Sequence, residues 1–219
     1  MNAFSEHVQS RAAQREATRQ RVLSVAERLF RDRGFGVTTV RQIAADAAVS
    51  TGTVMSVGDK DALLVAIFDS WIDAVHRART DDQDEPSVAP LPTGTKPSRA
   101  ASTAAGTAVD TAMALFEPFI RYFALDEALS REYAAIIVRG AHESAIFQNL
   151  ALSLTAEITE VLARAGLNDA DAGRGARVVY FSYLGILMTV SHGTFRESDA
   201  LNELREAIGF VLAHEGEKE

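Results

Sequence analysis

The residues most able to do chemistry in this chain do not converge. His7, His76, His142, His192 and His214 are scattered, and none lies three or four residues from another, the spacing that sets two metal ligands on one helical face. His142 and Glu143 are neighbours, so on a helix they point different ways. The chain has no cysteine, which excludes disulfides, thiol nucleophiles and zinc–thiolate sites. Two glycine-spaced stretches invite comparison with phosphate loops, and both fail. Five residues separate Gly52 from Gly58, and Asp59 and Lys60 follow, whereas a P-loop has four and then Gly-Lys-Ser/Thr. Gly34-Phe35-Gly36 lacks the third glycine of a dinucleotide fingerprint and any strand before it. Acid pairs such as Asp126–Glu127 suit helix capping better than proton transfer. Nothing here implies a catalytic centre, a metal or a cofactor.

A different chemistry suits Ser50-Thr51-Gly52-Thr53-Val54-Met55-Ser56. The major groove of DNA admits one α-helix, and short outward side chains let its backbone approach the base edges. If this stretch is a helix capped by Ser50, Val54 and Val57 face inward and Thr51, Thr53 and Ser56 face out. Gly52 then permits close approach, and the helix N-terminus points amides at phosphate. The competing interpretation is a plain structural turn between core helices. Charge favours the first. Residues 1–60 hold nine cations against six acids, while the remainder holds 13 against 24, within a net charge of −8. A basic head on an acidic body directs any polyanion to the head.

The elements that position this stretch are helical. Val22, Ala26, Leu29 and Phe30 share a face of one helix, which Gly34 ends. Thr39 and Gln42 form a capping-box signature for a short second helix with Val40, Ile43, Ala44 and Ala47 on its stripe. Asp59 caps a further helix, with Leu63, Ile67, Trp71 and Val75 on its inner face. Two short, closely joined helices between supports form a helix-turn-helix arrangement. Residues 80–107 contain four of the five prolines among Ser, Thr, Ala and acids, which predicts a linker. From Ala108 the pattern is helical, with Pro118 expected to kink or break one helix. Residues 178–190 are apolar on nearly all sides, so that helix must pack against its own domain and against something else. The fold class is therefore all-α: a DNA-binding head over 1–60, a connecting helix over 61–80, a flexible linker over 81–107 and a helical body over 108–219.

Apolar residues make up 47% of the chain and charged residues 24%, an ordinary globular balance. No apolar run approaches the roughly 20 residues of a membrane span, and the first residues lack a secretory h-region. A cytoplasmic location is expected.

The stretch from Arg21 to Asp69 resembles the N-terminal signature of the TetR family of bacterial transcriptional regulators. The resemblance rests on Ala26, Leu29, Phe30 and Gly34, then Thr38, Thr39, Val40, Ile43, Ala44, Ala47, Val49, Ser50, Gly52 and Thr53, then Lys60 to Leu64. It implies a homodimer joined by the last two helices, about Gly173–Ser191 and Asp199–Glu215, with Ser182, Gly185 and Thr189 as a small-residue face; intrachain packing is the alternative use of that face. It implies a repressor that leaves a double-stranded operator when a small apolar or amphipathic molecule enters the body. Met113, Phe116, Tyr122, Phe123, Tyr133 and Phe147 are the expected pocket residues, with Trp71 a further candidate. Carried over by position, Thr39 and Lys60 are candidate phosphate contacts, and Arg41, Thr51, Thr53 and Ser56 candidates for base edges. Three departures stand out. Ala48 occupies a turn position where the family commonly has glycine, and a left-handed alanine there costs about 1 kcal/mol. Met55 replaces an aromatic that reaches phosphate, and Val57-Gly58 replaces a second aromatic in a shorter loop. Arg11, Arg15 and Arg19 repeat every four residues, so a helical extension carries them on one face. That face either makes up the lost phosphate affinity or is a solvated terminus. The runner-up function is a helical ligand-binding or protein-interaction module with a degenerate head; an enzyme ranks third.

Overall fold

The computed structural model describes residues 3–83, 97–140, 142, 144–190 and 196–214. Its elements among those residues are helices only: α1 (Ala3–Arg33), α2 (Val40–Asp46), α3 (Thr51–Val57), α4 (Lys60–Gln83), α5 (Pro97–Leu125), α6 (Glu127–Arg139), α7 (Ala145–Arg164), α8 (Asp169–Val190) and α9 (Glu197–His214). They form two compact units, Met1–Trp71 with Glu132–Ser144, and Ile72–Arg131 with Ala145–Glu219. The first unit thus reaches beyond residue 60, taking in part of α4 and, from far along the chain, most of α6.

The core of the first unit follows the helical periodicity. Val22, Ala26, Leu29 and Phe30 of α1, Ile43 and Ala44 of α2, Val54 of α3, and Leu63, Leu64, Ile67 and Phe68 of α4 are buried. Phe30 meets Phe35 edge-on at 5.0 Å. Thr38 is buried, and its hydroxyl donates to the carbonyls of Gly34 at 2.9 Å and Leu29 at 3.2 Å, so the α1–α2 turn leaves no polar group stranded there. Phe68 stacks on Tyr133 of α6, with ring centroids 4.4 Å apart and planes 9° from parallel. Beyond it, Ser144 donates to Asp69 Oδ1 at 2.6 Å. Burial raises the Asp69 pKa, and that hydrogen bond opposes the shift.

In the second unit α8 packs against α7 and α9, and α5 packs against α9, α7 and α8. Met113, Phe116, Phe119 and Ile120 of α5, Leu154, Ile158 and Leu162 of α7, Val179, Tyr183 and Leu187 of α8, and Leu204 and Ile208 of α9 are buried. Burial also pushes the Tyr180 hydroxyl up to about 12. Pro118 lies inside α5 without ending it. The missing backbone hydrogen bond is outweighed by the burial of Phe116, Phe119 and Ile120 around it.

Helix extends into both ends of the segment expected to be a linker. Helix α4 continues to Gln83 and α5 opens at Pro97. Proline suits a first helical position, and Ala100, Ala101, Ala104 and Ala105 have the strongest helix propensity. Counting prolines outweighed that propensity in the sequence pattern. Residues 84–96 lie outside the described residues.

Candidate nucleic-acid interface

The helix-turn-helix is assembled by local capping chemistry. Thr39 caps α2 in a complete capping box: its hydroxyl accepts from the Gln42 amide, while the Gln42 side chain accepts from the Thr39 amide at 2.8 Å. Ser50 caps α3, its Oγ accepting from the Thr53 amide at 3.0 Å. Asp59 caps α4, its Oδ1 accepting from the Ala62 amide at 2.8 Å. Three successive start signals therefore hold three short-range directions of the chain. Arg28 of α1 and Asp46 of α2 pair at 2.8 Å, adding a tie across the first two helices.

Between α2 and α3 the chain turns through Ala48, whose φ is +54°. The Ala48 amide donates to the Ala45 carbonyl at 3.2 Å and the Val49 amide to the Ala44 carbonyl at 3.0 Å, the paired bonds of a Schellman termination. The left-handed residue of that motif is ordinarily glycine, and an alanine there is strained by about 1–2 kcal/mol. Replacing Ala48 with glycine relieves the strain but adds chain entropy to the unfolded state. The expected net gain is about 0.5–1 kcal/mol, or a thermal midpoint roughly 1–4 °C higher. A calorimetric midpoint that stays put or falls contradicts the strain.

The α3 face that results is short-chained and open. Thr51, Gly52 and Ser56 are exposed, Thr53 is half-buried, and Val54 beneath them is buried. The Thr53 hydroxyl lies 2.9 Å from Ser50 Oγ, and Ser56 donates to the Thr53 carbonyl at 2.7 Å. Thr39 and Arg41 are exposed at the start of α2. Met55 is 53% exposed on the same helix and has no hydrogen to donate.

Exit from α3 is governed by Gly58. A β-carbon added there meets the Ala62 β-carbon at 2.8 Å, closer than side-chain carbons pack. The first turn of α4 thus lies directly against the Gly58 backbone, which leaves no room for an aromatic. Lys60 is placed differently from expectation. Its Nζ donates to the carbonyls of Phe35 at 2.9 Å and Gly36 at 3.4 Å, and sits 4.3 Å from the Phe35 ring centroid. In this arrangement it is a strut from α4 to the α1–α2 turn, half-buried, rather than a free surface charge. The end of the α6 segment also reaches this corner: His142 Nε2 lies 3.5 Å from Asp59, and Arg139 lies 3.4 Å from Asp61.

The residues expected to line a ligand pocket divide between the units. Met113, Phe116 and Phe123 are buried in the second unit, and Tyr122 there is half-buried. Phe116 contacts Tyr183 at 4.7 Å, Tyr122 contacts Phe123 at 5.9 Å, and Tyr180 lies 6.1 Å from Tyr183. Tyr180 and Tyr183 lie in the helix that is apolar on nearly all sides, where periodicity singles out no face, and both are buried. Tyr133 belongs instead to the first unit, stacked on Phe68. So does Trp71, whose Nε1 donates to Glu27 at 3.2 Å while Arg31 covers its ring at 5.4 Å. The Phe147 side chain lies outside the described residues. Among the described residues no group of three or more His, Cys, Asp or Glu could hold a metal, and no helix is long and apolar enough to cross a membrane.

Residues 22–67 match the family of bacterial regulatory proteins named for tetR. Over those residues the head is similar to the DNA-binding domain of that family. Over 59 residues the chain is 39% identical to the HTH-type transcriptional regulator HbdR of Aromatoleum sp. (strain CIB), a match spanning 26% of each chain; the chain therefore covers about a quarter of that relative's length. The fold is shared more widely. A TetR-family transcriptional repressor, FadR of Thermus thermophilus solved with lauroyl-CoA, superposes with a TM-score of 0.60 at 19% identity, covering 89% of this chain and 93% of that one. A TetR-like regulator from Rhodococcus sp. RHA1 superposes with a TM-score of 0.52 at 20% identity, covering 90% and 96%. The matched residues 22–67 include the Thr39 and Ser50 caps and the small α3 face described above.

Proposed function

We propose that this protein is a DNA-binding transcriptional regulator that occupies a double-stranded operator as a homodimer and releases it when a small molecule binds the helical body. The observation that carries the reading is the α3 face itself: Thr51, Gly52 and Ser56 exposed over a buried Val54, on a helix capped by Ser50, inside the matched residues 22–67. In this reading Thr51, Thr53, Ser56 and Arg41 meet base edges, while Ser50, Gly52, Thr39 and Lys60 lie along the phosphates. Lys60 has a third ammonium hydrogen beyond the two carbonyls it already serves.

Dimerisation through α8 and α9 is supported by Val178, Phe181 and Phe210, which are 52%, 65% and 60% exposed on those helices. Gly185 and Thr189 are exposed and Ser182 half-buried on α8, small enough to let a second copy approach. Met113, Phe116, Tyr122 and Phe123, with Phe147, give an apolar or amphipathic ligand in the body; the acyl-CoA held by the Thermus FadR points the same way. Ligand then favours a spacing of the two heads that no longer fits successive major grooves, roughly 34 Å apart. The protein acts in the cytoplasm and is not an enzyme. Met55 and Gly58, which stand where phosphate-reaching aromatics are usual, favour one rival: a ligand-binding module whose head has lost DNA affinity.

A labelled duplex from the gene's own upstream region separates the two. The expected result is binding at low salt that resists competition by random DNA, weakened about 5- to 100-fold by Thr51→Ala, the range of one base-reading contact. Equal affinity for random and upstream duplexes, or indifference to Thr51→Ala, leaves the rival standing.

A further inference from the structure

Helix α1 is far longer than the core it covers. Among its described side chains, which begin at Arg11, the first buried one is Val22, while the helix itself starts at Ala3. Arg11, Arg15 and Arg19 recur at one-turn intervals on this extension, spanning about 12 Å along the axis. They are exposed, and they stand beside α3. Arg11, Arg15, Arg19 and Thr18 line one groove of about 860 Å³ together with Thr53 and Ser56 of α3. The arginine row and the small-residue face of α3 thus border a single concavity within the first unit.

Glu16 lines the groove as well, so three guanidinium groups there face one carboxylate. Among the described residues neither Arg11 nor Arg15 is paired with an acid, and Arg19 has only Glu16 at 3.7 Å, both exposed. An exposed pair at that distance is worth little. Further along the same helix Arg28 is engaged by Asp46 and Asp32 and Arg31 by Glu27, while Arg21 and Arg33 have no acid partner among the described residues. What sets the N-terminal row apart is that it borders α3.

We infer that the N-terminal half of α1 is a second DNA-contacting surface, on which Arg11, Arg15 and Arg19 grip the sugar–phosphate backbone flanking the groove entered by α3. Guanidinium groups bind phosphate in a bidentate fork, a contact that Met55 cannot make. The inference rests on the DNA-binding reading above and deepens it: the backbone grip has moved from the end of α3 to α1.

The full chain is titrated, across a sodium chloride series, with two labelled duplexes of equal length, one from its own upstream region and one of random sequence. Each phosphate contact adds about 0.9 to the slope of log affinity against log salt. Arg11→Ala/Arg15→Ala/Arg19→Ala is expected to flatten the slope by roughly 2.7 on both duplexes. Between 50 and 200 mM salt, wild type then loses about 40-fold more affinity than the variant. Arg11→Lys/Arg15→Lys/Arg19→Lys keeps the steep slope, and circular dichroism shows both variants helical. A triple alanine variant with the wild-type slope, while wild type still prefers its own duplex, overturns the arginine grip but not the regulator; the row then serves an acidic protein segment. Wild type binding neither duplex overturns both.

Discussion

Gly58→Val is expected to destabilise the protein by about 3 kcal/mol and to weaken duplex binding at least tenfold. The backbone at Gly58 is extended, with φ 165° and ψ 165°, a conformation open to any residue, so the cost is steric alone. The first added carbon already falls 2.8 Å from the Ala62 β-carbon. That carbon is fixed to the α4 backbone and cannot swing aside, and overpacking of this kind typically costs 1–3 kcal/mol. Relief requires α4 to shift away from the end of α3, which re-aims Thr51, Thr53 and Ser56. The second variant in the cycle is Ala62→Gly, which removes the opposing carbon at roughly 1 kcal/mol of helix propensity. Urea midpoints of the two single variants and the double variant give the coupling. A double variant about as stable as Ala62→Gly alone supports the contact; strict additivity refutes it.

Phe116→Ala is expected to cost about 3–5 kcal/mol, a large share of a typical 5–15 kcal/mol total. Phe116 is fully buried and its ring lies 4.7 Å from that of Tyr183, so its removal leaves a cavity among α5 and α8 side chains. The same measurement tests the packing of its ring on Tyr183. Half-buried Tyr122 is the internal comparison, with an expected loss under about half as large. Equal, small losses at both positions refute that packing.

The head was readable from sequence because its instructions are local. Thr39 with Gln42, Ser50 and Asp59 each act within three residues, and each caps the helix it was expected to cap. Strain at Ala48 was legible only through the resemblance, which puts a glycine at that turn position, and its φ is above zero. Long-range placement was not readable in the same way. Lys60 bonds carbonyls at Phe35 and Gly36, Trp71 bonds Glu27, and Tyr133 stacks on Phe68. No helical period encodes those distances, so the sequence pattern places Trp71 and Tyr133 with the body, whereas both belong to the first unit. The arginine row shows the boundary well. Its four-residue repeat is visible in sequence, but its shared groove with Thr53 and Ser56 is not. At 97–107, alanine propensity prevailed over the linker composition, because a weak preference summed over successive residues outweighs a single proline at the helix start.

The discontinuous first unit also has a temporal consequence. Its hydrophobic ring pair joins Phe68 to Tyr133, and its Ser144–Asp69 bond spans a still longer stretch of chain. On a ribosome adding about 5–20 residues per second, the helix-turn-helix emerges seconds before either partner exists. During that interval Phe68 and Asp69 are bare, and the newborn head waits for residues 72–131 to be made. The finished unit therefore assembles only after residues 72–131 of the second unit have been made, so the head cannot close as soon as its own helix-turn-helix has left the ribosome.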